Sequence, residues 1–226
     1  MLSRALSDNQ EMSRVFRSKD SARVAYDRMS RFYDLVAGTS ERHFTGLGLK
    51  MLEVQPADNI LEIGYGTGHS LVALAQAVTG TGTVTGVDIS EGMLCIARSR
   101  LLRSGLIERV SLYLGDAASL PFGSSSFDAV FTSFTLELFD TPEIPIVLQE
   151  CLRVLNAEGR IGVVALARNT GAAVRIYEWV HARFPDYIDC RPIYVHALIE
   201  EAGFIVANME ESYMWGLPVE IIVAHK

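Results

Sequence analysis

The sequence predicts an α/β fold: an open sheet of seven mostly parallel strands with an antiparallel last strand, helices on both faces and a helical lid at its N-terminal end. Three observations predict it. From residue 58 onward, short apolar runs alternate with helical patterns of about 10–15 residues, which demands parallel strands joined by crossover helices. The first of these runs ends in a glycine turn that opens a helix. The last two runs are separated by only a few residues, too few for a crossover helix, so they pair antiparallel.

Each element has its own signal. Residues 1–20 are polar without a sustained period and are expected to be mobile or partly helical. In 21–36, Val24, Met29, Phe32, Tyr33 and Val36 recur at near-helical intervals, and a second helix is expected over about 41–54, before Pro56. DNILEIGYGTGHS reads as a buried strand, a glycine turn and a helix start, and Leu71, Leu74, Ala75 and Val78 then share one helical face. GTGTVTGVDIS is a turn, a strand and a loop. EGMLCIARSRLLRSG is helical, with Met93, Leu94, Ala97 and Leu101 on one face, Cys95 expected in the core, and Gly105 as the stop. RVSLYLGD and SFDAVFTSF are the third and fourth strands. PEIPIVLQECLRVLN aligns Ile144, Val147, Leu148, Cys151, Leu152 and Leu155, and is followed by a turn at Ala157-Glu158-Gly159 and the fifth strand GRIGVVAL. Helices over 173–183 and 193–202, the second ending at Gly203, precede the closing strands FIVANMEES and LPVEIIVAH.

Composition removes several classes. With 226 residues, 49% of them hydrophobic, the chain can bury a core without staples and is not a disordered chain. No uninterrupted apolar run reaches about 18 residues, so no transmembrane helix is expected. The opening MLSRALSDNQEMSRVFRSKD is charged throughout and is not read as a secretory signal. Cys95, Cys151 and Cys190 stand far apart, with neither CxxC spacing nor a disulfide framework; a reducing, cytoplasmic compartment and no metal are expected. A net charge of −7 disfavours nucleic acid as a partner. The basic excess in the first 35 residues is too small for a membrane patch, leaving at most peripheral membrane contact.

Three motifs carry chemistry. In Glu62-Ile63-Gly64-Tyr65-Gly66-Thr67-Gly68, glycines let backbone approach a ligand, and the helix that follows presents free N–H groups. A dinucleotide fingerprint would need glycine where His69 or Leu71 stands. No P-loop and no Tyr-x-x-x-Lys pair exist, which turns attention from pyrophosphate ligands to adenosyl ligands. Asp88 ends the second strand about 20 residues on, where a carboxylate accepts from ribose hydroxyls; alternatively it caps the next helix, in competition with Ser90. Asp116, in Gly115-Asp116-Ala117 after the third strand, can accept from an adenine amine or simply cap a turn.

Taken in order, LEIGYGTG, VDIS with Met93, GDAASLPF, FDAVFTSF and ECLRVLNAEGRIGVV resemble a class I S-adenosylmethionine-dependent methyltransferase, in register from about 58 to 166. The LPF and RVL-x-x-x-G signatures resemble the type 11 group, which includes the ubiquinone and menaquinone biosynthesis C-methyltransferases. Tyr26-Asp27 and Tyr33-Asp34 resemble the helix that closes over the cofactor there, and RPIYVHALIEEAGF its late helix. The resemblance implies a Rossmann-like domain over 21–226: a lid at 21–54, a cofactor-binding core at 58–166, and acceptor-side and closing elements at 167–226. It implies S-adenosyl-L-methionine as cofactor and S-adenosyl-L-homocysteine as product. Gly64, Gly66 and Gly68 would wrap the methionine part beside Thr67, with Tyr26 or Tyr33 near it, and Glu62 would orient the amino group. Asp88 would hold the ribose, Ile89 and Met93 would pack on adenine, Asp116 and Ala117 would bind its edge, and Ser133 would face cofactor and substrate. Ring C-methyltransferases of that group carry a longer segment after the fifth strand than the one between Leu166 and Phe204 here, so the likeness is weakest at the acceptor.

Methyl transfer from a sulfonium needs positioning and desolvation more than protein chemistry. An oxygen or ring-carbon acceptor also benefits from a base. Tyr33, His69, Glu137 and His181 are the catalytic candidates, with Tyr26 and His196 behind them. The fourth strand ends in Thr132-Ser133-Phe134-Thr135, without the motif of adenine or glutamine methyltransferases. Phe32, Tyr33, Phe44, Phe134, Phe139, Trp179 and Phe184 are the aromatics available for an apolar acceptor pocket. The expectation is a small, lipophilic acceptor such as a quinone-type ring, with a phospholipid amine or a phenolic oxygen as alternatives. An NAD(P)-dependent reductase and a non-catalytic cofactor-binding regulator are the more distant rivals. Oligomeric state is left open.

Overall fold

The structure, a computed structural model, describes residues 38–183 and 190–226. Its strands are β1 (Asn59–Ile63), β2 (Thr83–Asp88), β3 (Val110–Leu114), β4 (Phe127–Ser133), β5 (Leu155–Leu166), β6 (Ile205–Met214) and β7 (Leu217–His225). Its helices are α1 (Gly38–Leu52), α2 (His69–Ala77), α3 (Glu91–Arg103), α4 (Ile144–Val154), α5 (Ala172–Arg183) and α6 (Val195–Glu201).

The strand order is β3-β2-β1-β4-β5-β7-β6. β1 to β5 run parallel, and β7 pairs antiparallel with both β5 and β6. The predicted fold class holds, with one refinement: the antiparallel strand is not at the edge. It lies inside the sheet, and β6 forms the border.

Strand alternation sorts the core into two layers. Leu61, Ile63, Val130, Ile161 and Val163 face one side, where α4 adds Val147, Leu148 and Cys151 and α6 adds Leu198 and Ile199. Ile60, Ala129, Phe131 and Val164 face the other, against Phe44 and Leu52 of α1, Leu71 and Leu74 of α2, and Ala97 and Leu101 of α3. Glu62, one residue from Ile63, is thereby aimed at the α2 side.

Three local expectations change. Cys95 is exposed, because the inward face of α3 is Met93, Ala97 and Leu101, and Cys95 lies off that stripe. The helix predicted over PEIPIVLQECLRVLN ends at Val154, and Leu155 already belongs to β5. The predicted turn at Ala157-Glu158-Gly159 lies within the β5 span: Leu155 pairs with Phe127 and Arg160 with Ala129, so residues 156–159 form a bulge between two paired stretches.

The second half of the expected lid packs against the sheet. α1 lies on the sheet so closely that a Cβ on Gly48 would collide with the side chain of Val164. Arg160 on β5 secures its end, donating from Nε to the Leu52 carbonyl at 2.7 Å and from Nη2 to Asp58 at 2.6 Å. The first half, 21–36, lies outside the described residues.

Candidate active site

A cavity of about 210 Å³ opens at the carboxyl ends of β1 to β4. Parallel strands present their ligand sites there because every following loop converges on that edge.

The glycine turn forms its floor. Gly64, at φ +70°, has no room for a side chain, since a Cβ would overlap Thr135. Gly68, at φ +80°, precedes α2, and a Cβ there would come within 2.9 Å of Ala97 Cβ. These two glycines let α3 and the loop after β4 close around the turn. Gly68 itself does not line the cavity; Gly64, Gly66 and Thr67 do.

Glu62 is 1% exposed and borders the cavity. Ser70 Oγ donates to its Oε1, while Oε2 has no hydrogen-bond partner among the described residues. Burial pushes its carboxyl up to about 8, with the nearby Asp88 charge acting in the same direction. The ring of Tyr65 is buried beneath the turn, and desolvation keeps its phenol protonated.

Asp88 Oδ2 accepts from the Gly66 amide at 2.8 Å and Oδ1 from the Ser90 amide at 2.9 Å. The cap of α3 is Ser90, whose hydroxyl accepts from the Met93 amide at 3.1 Å. Asp88 therefore stands at the cavity as a carboxylate spanning two loops and not as a helix cap. Asp116 Oδ1 accepts from the Ala118 amide at 2.9 Å, the turn-capping role, and its residue also lines the cavity, with Ala117, Ile89 and Met93.

His69 lines the cavity too, and its ring is held by the Arg100 guanidinium, which also donates from Nε to the Thr67 carbonyl at 2.7 Å. Ser133 shares a 2.7 Å hydrogen bond with Thr45 of α1. Next to it, Phe134 adopts φ +50°, a left-handed conformation that costs a bulky residue about 1–3 kcal/mol. The turn is held by the Phe134 amide donating to the Val164 carbonyl at 2.7 Å.

Other predicted residues lie elsewhere. Glu137 is fully buried behind the wall, with Oε1 accepting from the Leu166 amide at 3.1 Å, and is not a lining residue. Burial raises its carboxyl to about 8. His181 is buried on the inner face of α5 and does not line the cavity, contrary to its candidacy. Among the expected acceptor aromatics, Phe134 and Phe139 line the cavity. Phe44 packs edge-on behind Phe134, with ring centres 6.5 Å apart. Trp179 is 67% exposed on α5 and is excluded from the pocket. Tyr26, Phe32, Tyr33 and Phe184 lie outside the described residues.

Sequence reasoning missed the wall supplied by α1 and by the loop after β4. Glu41, Arg42 and Thr45 line the cavity from α1, and Leu138, Asp140 and Glu143 from the β4–α4 connection. The second group was open to inference, since it follows a parallel strand at the active edge. The first needed α1's position on the sheet, which periodicity does not supply.

Residues 60–159 match the family described as Methyltransferase domain. The chain is 30% identical over 163 residues to a demethylmenaquinone methyltransferase of Lactobacillus johnsonii, covering 72% of this chain and 65% of that protein. It is 34% identical over 140 residues to the nocamycin O-methyltransferase of Saccharothrix syringae, covering 62% and 49%. The chain thus spans under two thirds of either relative. In fold, it superposes on the [4+2]-cyclase SpnF with a TM-score of 0.75 at 18% identity, covering 93% of this chain and 97% of that one. It also superposes on the 1,6-didemethyltoxoflavin-N1-methyltransferase of Burkholderia thailandensis, solved with S-adenosylhomocysteine, with a TM-score of 0.70 at 16% identity, covering 95% and 93%. Sheet order, glycine turn and family match agree: residues 60–159 are similar to a methyltransferase domain, in a fold shared with solved S-adenosylmethionine-dependent methyltransferases.

Proposed function

We propose that this chain transfers a methyl group from S-adenosylmethionine to a small lipophilic acceptor, with a quinone-type ring carbon as the first choice. One observation carries the reading: a single cavity holds the carboxylates Glu62, Asp88 and Asp116 beside the glycine turn and the apolar side chains Phe134, Leu138 and Phe139 beyond it. The buried, unpartnered Glu62 Oε2 is what a cationic amino group would satisfy. The Asp88 oxygens accept the Gly66 and Ser90 amides, and a carboxylate oxygen, with more than one acceptor site, can also accept from a ribose hydroxyl. Ala117, Ile89 and Met93 supply apolar contact for a purine, with Asp116 at its edge.

The cofactor, when bound, supplies an electrophilic methyl on a sulfonium and leaves as a neutral thioether. The protein aligns the acceptor for an in-line approach and excludes water. Ser133 and Thr45, sharing their hydrogen bond at the boundary of the two regions, orient a polar acceptor group. Among the described residues His69 is the imidazole that lines the cavity, and its ring nitrogens are engaged by the Arg100 guanidinium. The ring-carbon choice is supported by the likeness to the demethylmenaquinone methyltransferase, whose name states its acceptor. A phenolic or enolic oxygen is the second reading, favoured by the 34% identity to an O-methyltransferase.

The test is transfer of labelled methyl from S-adenosylmethionine to naphthoquinols, phenols and phospholipid amines, with the product position read by NMR. A C-methylated ring is the expected product. Labelling of amines alone overturns the acceptor class, and tighter binding of NADH than of S-adenosylhomocysteine overturns the whole reading.

A further inference from the structure

We infer, resting on the methyl transfer proposed above, that Arg191 is a positioning residue for the acceptor half of the cavity and acts through the backbone of Phe139. Arg191 is fully buried, and its Nη2 donates to the Phe139 carbonyl at 2.7 Å. It does not line the cavity; Phe139 does, with Leu138 before it and Asp140 after it. The guanidinium therefore holds the acceptor wall from behind.

The place of Arg191 is itself fixed by the end of β5. Ile193, two residues on, forms a parallel bridge with Ala167. Its amide donates to the Leu166 carbonyl at 3.0 Å, and its carbonyl accepts from the Arg168 amide at 2.9 Å. Pro192, between them, is buried, and its ring fixes φ, so Arg191 has little freedom relative to Ile193. The Leu166 amide in turn donates to Glu137 Oε1 at 3.1 Å. These bonds close a circuit: from Phe139 to Arg191, along the chain to Ile193, across to Leu166, and back to Glu137, two residues before Phe139. Inside it, the Leu138 amide donates to the Thr135 carbonyl at 3.0 Å and the Phe139 amide to the Leu136 carbonyl at 3.3 Å. That single turn of 3₁₀ helix has little stability of its own, and the circuit supplies it. The cofactor half is held by other bonds: Ser70 to Glu62, and the Gly66 and Ser90 amides to Asp88. None of these residues belongs to the circuit, so substitution should separate the two halves.

The experiment compares the parent chain with Arg191→Met, which removes the donor, and Arg191→Lys, which keeps a charge and a donor but not the planar fork. Initial rates use S-adenosylmethionine with 1,4-naphthoquinol as the probe acceptor, and calorimetry reads S-adenosylhomocysteine affinity. Arg191→Met should lower kcat/KM for the naphthoquinol about tenfold or more, since a small displacement of a positioning wall misaligns the acceptor. Its S-adenosylhomocysteine affinity should stay within about twofold of the parent's, and Arg191→Lys should restore part of the lost rate. Amide exchange should quicken about tenfold over 135–141 and stay unchanged over 59–68. An equal loss of cofactor affinity, or faster exchange throughout, overturns the inference by making Arg191 a general support of the fold. Unchanged exchange over 135–141 also overturns it. If Arg191→Met does not fold, Arg191→Lys decides by the same readouts. A parent chain that methylates no acceptor refutes the proposed transfer, and the exchange comparison still decides whether Arg191 holds the wall.

Discussion

The Asp88 carboxylate accepts the Gly66 amide at 2.8 Å, so the end of β2 holds the middle of the glycine turn in place. A residue expected to hold the ribose also shapes the loop that would wrap the methionine part. Asp88→Ala should weaken S-adenosylhomocysteine binding about five- to 150-fold and lower stability by about 1.5–3 kcal/mol. Calorimetry and urea unfolding measure the two effects. Unchanged affinity would remove the ribose assignment.

Glu62 predicts a proton linkage. With its carboxyl raised to about 8, the free protein holds it mostly protonated at pH 7. An ammonium placed against Oε2 favours the charged form and lowers that value, so binding S-adenosylhomocysteine at pH 7 should release close to one proton. Affinity should fall up to about tenfold per pH unit below 8. Calorimetry in buffers of different ionisation heat reads the release directly. Glu62→Gln should abolish it, and its persistence in that variant would dissociate Glu62 from the amino group.

Two neighbouring glycines should respond differently. At Gly66, φ +50°, a Cβ meets open space, so Gly66→Ala carries only the conformational cost of about 1–2 kcal/mol. At Gly68 a Cβ also meets Ala97 Cβ at 2.9 Å and its Cα at 3.0 Å, and Gly68→Ala should cost about 2–4 kcal/mol. Equal urea midpoints would refute the packing role given to Gly68.

Glu137 makes stability depend on pH. Its folded-state value, about 8, lies above the ordinary 4.5, so the stability of the neutral form is fully present below 4.5 and is lost as pH rises through 8. Glu137→Gln keeps an acceptor for the Leu166 amide and cannot ionise. The difference between parent and variant should therefore shift in the variant's favour by a few kcal/mol between pH 5 and 8. Parallel stability curves over that range would contradict it.

Phe139→Ala should raise the acceptor KM about five- to thirtyfold while leaving S-adenosylhomocysteine affinity unchanged. The Phe139 carbonyl accepts from Arg191 Nη2 at 2.7 Å, so the backbone is still held after truncation. A change in cofactor affinity alone would move Phe139 to the other half of the cavity.

Much of the sheet was legible because its central strands are short apolar runs, and β1, β2 and β4 each precede a helix with one packed stripe. The cofactor-side residues were legible for a related reason: Glu62, Asp88 and Asp116 sit at strand ends, and strand ends are what periodicity locates. The position of Cys95 was misread because neighbours in sequence are not neighbours on a helix face. The bulge at 156–159 was hidden because Ala157-Glu158-Gly159 has turn chemistry while the strand resumes pairing on either side. Trp179 was misassigned to the pocket because an aromatic side chain does not declare which side of its helix is packed. Thr45 was missed because its role depends on meeting Ser133, 88 positions away.

The interior place of β7 has a consequence for synthesis. β1 to β5 can pair in the order in which they emerge, but β6 leaves the ribosome before the one strand that can hold it. Until residues 217–225 follow, Ile205, Met209 and Tyr213 belong to a segment with no ladder to join. The nascent chain must shelter that segment or fold it late, as a hairpin docking onto a finished parallel half, and a stall between β6 and β7 exposes it to other chains.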